Sequence, residues 1–131
     1  MEIHFKIIGT ALLLLSLIHV VFPKYFNWKK ELAQLSLINK QMMVIHTFFI
    51  ALSVLLMGLL CLFSSEELTH SSLGKTISLG LAIFWTIRLF TQFFGYSNKL
   101  WKGKTFETIV HVSFTGLWIY LCIIFWTNYL Y

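Results

Sequence analysis

Apolar and polar positions alternate along this chain in long blocks rather than short periods. Four apolar runs stand out, at 3–22, 41–63, 73–95 and 106–129. Each reaches the roughly 20 residues that a helix needs to cross a bilayer. Pro23 ends the first run, and turn-forming or charged residues separate the others. The first run resembles a signal peptide in position, but it lacks a small-residue cleavage site and its apolar stretch is too long for such a segment. It is therefore read as a helix. The pattern predicts an all-α polytopic membrane protein: four transmembrane helices in an up-down bundle, one transmembrane domain over residues 1–131. The segment NWKKELAQLSLINK adds a smaller element. Trp28, Leu32 and Leu35 fall on one helical face and lysines fill the other, which predicts a short interfacial helix over about 28–38. The plainer alternative is an ordinary amphipathic connector.

Polar residues inside the runs change this picture. The third run contains FWTIRLFTQFFGY, with Arg88 and, one turn on, Gln92. Arginine at the centre of a spanning helix costs roughly 2.5–3.5 kcal/mol on insertion scales, so its retention calls for a reason. Counting along the helices places His19, His46, His111 and Arg88 within roughly 5–12 Å of the same membrane face, at about 1.5 Å per residue. His4 and His70 belong to the opposite side. Spacings of three and four also group residues by face: Gly9, Ser16 and His19; Met42, His46, Ser53 and Met57; Ser78, Trp85, Arg88, Gln92 and Tyr96; Thr108, His111, Thr115, Trp118 and Cys122. Polar groups facing lipid are costly, so the stripes are expected to turn inward.

Charge supplies an orientation. Lys24, Lys29, Lys30 and Lys40 occupy the first loop and Lys99, Lys102 and Lys104 the third, against Lys6 and Lys75 on the other side. The positive-inside rule puts the lysine-rich loops in the cytoplasm and both termini outside it. These lysines account for the net charge of +5 without nucleic acid, and no nucleic-acid partner is expected. Only 11% of residues are charged and 58% are hydrophobic, whereas a soluble domain carries about 25% charged residues. Aspartate is absent and the acids are Glu2, Glu31, Glu66, Glu67 and Glu107, which weighs against two-carboxylate chemistry. Cys61 and Cys122 lie in apolar sequence and read as packed small hydrophobes.

The candidate site is a polar pocket in the cytoplasmic leaflet, walled by His19, His46, Arg88, Gln92 and His111, with Glu107, Tyr96 and Gln41 at its mouth. Glu107 is the expected ion-pair partner of Arg88, and Glu31 the second choice. Several readings stay open. Arg88 snorkels or pairs structurally, or it binds an anionic group, since guanidinium recognises carboxylate and phosphate. The histidines hydrogen-bond between helices, bind a metal as a three-ligand set, or hold a haem from two sides. No HxxxH, HExxH or ExxH spacing supports the cofactor readings. No activated nucleophile or phosphate-cradling glycine loop is present either. The function classes are therefore a binding or redox module for a haem, a quinone-like head group or an anionic lipid, and an accessory subunit whose polar cluster fastens the bundle or docks a larger membrane partner. A membrane enzyme using histidine as acid or base is a third class with no catalytic motif behind it.

The segments NKQMMVIHTFFI, FWTIRLFTQFFGYSNKLWKGK and FETIVHVSFTGLWIY together resemble a group of small four-helix bacterial membrane proteins to which no activity is attached. The resemblance implies a bacterial inner-membrane location. It brings no catalytic residue and no substrate.

Overall fold

The structure, a computed structural model, describes all of residues 1–131. It is all-α: α1 Glu2–Tyr25, α2 Trp28–Glu31, α3 Leu37–Phe63, α4 Ser65–His70, α5 Ser72–Phe94 and α6 Thr105–Leu130, with a 3-10 turn at Asn98–Leu100. Four of these, α1, α3, α5 and α6, are long and apolar enough to cross a membrane. The chain is an integral membrane protein of the expected all-α class. It divides into two compact units, Glu2–Ser65 and Glu66–Tyr131, each built on one antiparallel helical hairpin.

In the first unit α1 and α3 meet through small residues. The buried face of α1 is Phe5, Ile8, Gly9, Leu12, Leu15 and Ser16, and that of α3 is Val54, Gly58 and Cys61. A β-carbon on Gly9 would lie 2.7 Å from the Gly58 carbonyl oxygen and 2.5 Å from Leu62 Cγ. The two backbones approach closely because neither glycine has a side chain, the usual device where lipid supplies no hydrophobic drive for helix association. Burial in α1 ends at Ser16 and in α3 begins at Val54. The lysine-rich end of this hairpin is therefore more open than its other end.

Two sequence expectations are corrected here. Helix α1 does not stop at Pro23 but runs to Tyr25, and Phe26 N still donates to Phe22 O at 2.9 Å. Proline withdraws only the N–H that His19 O would have accepted, a loss the last turns of a helix tolerate. The interfacial helix expected over 28–38 shrinks to Trp28–Glu31, followed by turns through Leu35. Asn27 enters it in the left-handed region (φ 54°). Ser36 then adopts an extended conformation (ψ 156°) and accepts from Asn39 N as the N-cap of α3. That cap starts α3 at Leu37, and the extended backbone it requires is incompatible with a helix passing through Ser36.

In the second unit Ser71 caps α5, accepting from Gly74 N at 2.8 Å while donating to Glu67 O at 2.6 Å. Gly74 sits directly against the backbone of Glu67 and Leu68, which folds α4 onto the start of α5. Buried Asn128 secures the same end: its amide nitrogen donates to Leu68 O at 2.8 Å and to Ser78 Oγ at 2.6 Å. Lys75 Nζ donates to the Asn128 carbonyl at 2.7 Å. This lysine neutralises the negative end of the α6 dipole. Along the hairpin, Ser78, Leu81, Ala82 and Trp85 of α5 are buried, as are Trp118, Leu121, Cys122 and Phe125 of α6. Trp126 Nε1 donates to Thr86 Oγ1 at 2.9 Å, adding a cross-link between the two helices. Beyond α5, Ser97 accepts from Lys99 N and starts the 3-10 turn, and Gly103 takes a positive φ of 78° before α6 begins.

Candidate functional site

The residues that sequence reasoning grouped as one pocket divide between the two units. Gln41, His19 and His46 belong to the α1–α3 hairpin. His19 is half-buried, with Nδ1 2.8 Å from Leu15 O and its ring 4.8 Å from that of Phe22. Gln41 and His46 are exposed. Within its hairpin, the polar stripe of α3 does not face α1: Met42 and Ser53 are exposed with His46, while Val54, Gly58 and Cys61 form the buried face. The close glycine approach sets the rotation of α3, because only that face brings Gly58 to Gly9.

Arg88, Gln92, Tyr96, Glu107 and His111 belong to the α5–α6 hairpin, and four of them form one network. Gln92 is buried at its centre (7% exposed). Arg88 Nη1 donates to Gln92 Oε1 at 3.3 Å. Gln92 Nε2 lies 3.2 Å from His111 Nδ1 and 3.5 Å from His111 O. The chemistry orders these contacts. A guanidinium can only donate, so the amide oxygen faces Arg88 and the amide nitrogen faces His111. An amide nitrogen can only donate in turn, so His111 Nδ1 accepts and its ring carries the proton on Nε2. The His111 carbonyl also accepts from Thr115 Oγ1 at 2.7 Å.

Aromatic rings surround the network. The Arg88 guanidinium lies over Trp118 at 5.0 Å and over Tyr96 at 5.6 Å, both within cation–π range. Trp85 stacks on Trp118 at 5.0 Å, and Trp101 stacks on the His111 ring at 4.5 Å with planes 15° apart. The indole N–H groups of Trp85 and Trp118 are buried without a hydrogen-bond acceptor. Trp101 is a member of this cluster that the helical phases of the apolar runs do not reach, because it lies in the loop before α6. Its loop folds back through the 3-10 turn, and Thr108 Oγ1 fastens it by donating to Trp101 O at 2.6 Å. The only sequence signals for this were the Ser97 cap and Gly103.

The expected Glu107–Arg88 ion pair is corrected. Arg88 is held by a neutral amide and two π faces, and Glu107 is exposed in the first turn of α6. A carboxylate there already meets the positive end of a helix dipole, so it has no need to reach Arg88. Within each unit, no three His, Cys, Asp or Glu side chains gather in a geometry suited to a metal ion.

No protein-family profile, curated protein or solved structure matches the chain.

Proposed function

We propose that this protein binds the anionic head group of a membrane amphiphile on its α5–α6 hairpin. In this reading the chain resides in a bacterial inner membrane, with the lysine-rich loops in the cytoplasm and both termini outside. One observation carries it: the half-buried Arg88 cation has no carboxylate partner. One of its five N–H donors is engaged by Gln92, and the π faces of Trp118 and Tyr96 orient its plane. A guanidinium arranged in this way suits phosphate or carboxylate oxygens, which it can bind bidentately. A neutral quinone-like head group would leave the charge unbalanced. A haem iron at His111 would need an unprotonated Nε2, whereas Nδ1 accepts from Gln92 and the ring proton sits on Nε2.

The test is native mass spectrometry of protein taken from vesicles holding equal phosphatidylglycerol and phosphatidylcholine. Wild type is expected to retain phosphatidylglycerol preferentially, and Arg88→Gln to lose that preference. Equal retention of the two lipids by wild type would overturn the reading.

The Gln92 bridge from Arg88 to His111 favours a second reading. There the network only fastens α5 to α6 within an accessory subunit of a larger membrane assembly. Under it, Arg88→Gln lowers stability and leaves lipid retention unchanged.

A further inference from the structure

An open groove of about 340 Å³ runs along the α5–α6 hairpin, lined by Phe93, His111, Val112, Thr115, Gly116 and Ile119. Its walls are almost wholly apolar. The span from His111 to Ile119 covers about 12 Å of helix at 1.5 Å per residue. One end reaches the network that holds Arg88, and the other points toward the middle of the span. Gly116 lines the groove, and a β-carbon there would meet no atom within 4 Å.

We infer that this groove seats one acyl chain of an anionic phospholipid whose head group is held at Arg88. The inference rests on the head-group reading above and adds a chain site to it. Three features fit a lipid. The groove itself holds no charged side chain, and its His111 end belongs to the network that holds Arg88. Five of its six lining residues follow one face of the spanning helix α6, a path that an acyl chain can take away from a head group. Between the two, His111 has Nδ1 committed to Gln92, which leaves Nε2–H as the ring's available donor for an ester carbonyl at the top of the chain.

A chain leaving bulk lipid for this groove gains packing and little hydrophobic free energy. The expected effect is therefore modest, about 3-fold to 10-fold in retention. The experiment compares wild type, Gly116→Leu, Gly116→Ala and Arg88→Gln. Each is presented in detergent with dihexanoyl and dioleoyl forms of phosphatidylglycerol and phosphatidylcholine, and bound lipid is counted by native mass spectrometry. Wild type is expected to favour the long chain. Gly116→Leu fills the groove and is expected to lose that chain preference while still choosing phosphatidylglycerol over phosphatidylcholine. Arg88→Gln is expected to do the reverse. Gly116→Ala, which has ample room, shows an intermediate chain preference and keeps the test open if the leucine variant misfolds. A chain preference unchanged in both Gly116 variants would overturn the groove assignment. Loss of head-group selection in wild type would instead overturn the reading of Arg88.

Discussion

Gly9 and Gly58 bring α1 and α3 together so closely that a β-carbon on Gly9 would lie 2.7 Å from the Gly58 carbonyl oxygen. An oxygen of the backbone cannot rotate aside, so a side chain there must separate the helices. Gly9→Val is expected to destabilise the α1–α3 hairpin by about 1–3 kcal/mol, the usual range for overpacking. Gly80 offers the control, because a β-carbon there meets nothing within 4 Å. Gly80→Ala should be neutral or slightly stabilising. Unfolding of both variants in mixed SDS micelles checks this, and equal losses would show that the crossing is not held by close contact.

Asn128 performs a different task with hydrogen bonds. It joins Leu68, Ser78 and Lys75 at the end of the α5–α6 hairpin remote from Arg88. Hydrogen bonds between membrane helices average about 0.6 kcal/mol and reach about 1.7. Asn128→Ala removes two, and is expected to cost about 1–3 kcal/mol on that scale. Ser78→Ala removes one and should cost about half as much, with a non-additive double variant because the two side chains share a bond. The same micelle unfolding assay measures all three, and additive losses would mean that the bond carries no coupling.

The legible and illegible parts of this molecule separate by range. Four apolar runs specify four helices, since nothing else hides so many backbone polar groups in lipid. Helical phase also placed Arg88, Gln92 and Tyr96 on one face and His111 with Trp118 on another, and the α5–α6 hairpin brings these residues together. Phase did not reveal the rotation of α3, which follows from one glycine meeting another rather than from its polar stripe. Charge matching suggested Glu107 for Arg88, yet two aromatic faces and an amide hold the cation. Patterns within one helix are visible in sequence, whereas contacts between helices depend on distances that periodicity does not contain. Local backbone choices were the other blind spot: one serine cap at Ser36 ended an amphipathic pattern that would otherwise have continued as helix.

Gln92 separates the binding reading from the fastening one. Gln92→Leu keeps the Arg88 charge and its aromatic neighbours but breaks the link to His111. Stability should fall by about 0.6–2 kcal/mol for the lost interhelical bonds. Preference for phosphatidylglycerol should persist, because the cation remains. A variant that unfolds no more easily than wild type would show that the bridge does not fasten the hairpin.

Arg88→Lys asks whether the head-group site needs a plane or only a charge. Lysine keeps the positive charge but cannot lay a guanidinium face over Trp118 and Tyr96, which lie 5.0 Å and 5.6 Å from Arg88 Cζ. Cation–π contacts contribute about 0.5–2 kcal/mol each, rising as the cation is desolvated. Lysine also lacks the two-pronged donor set that grips a phosphate from one side. The expected outcome is a graded one. Retained phosphatidylglycerol falls several-fold from wild type but stays above that of Arg88→Gln, and the melting temperature drops. If Arg88→Lys retains lipid as wild type does, charge alone holds the head group, and the aromatic faces serve only to keep the arginine packed. If it retains no more than Arg88→Gln, the flat, oriented guanidinium is the recognition element, and Trp118 and Tyr96 are the residues that position it.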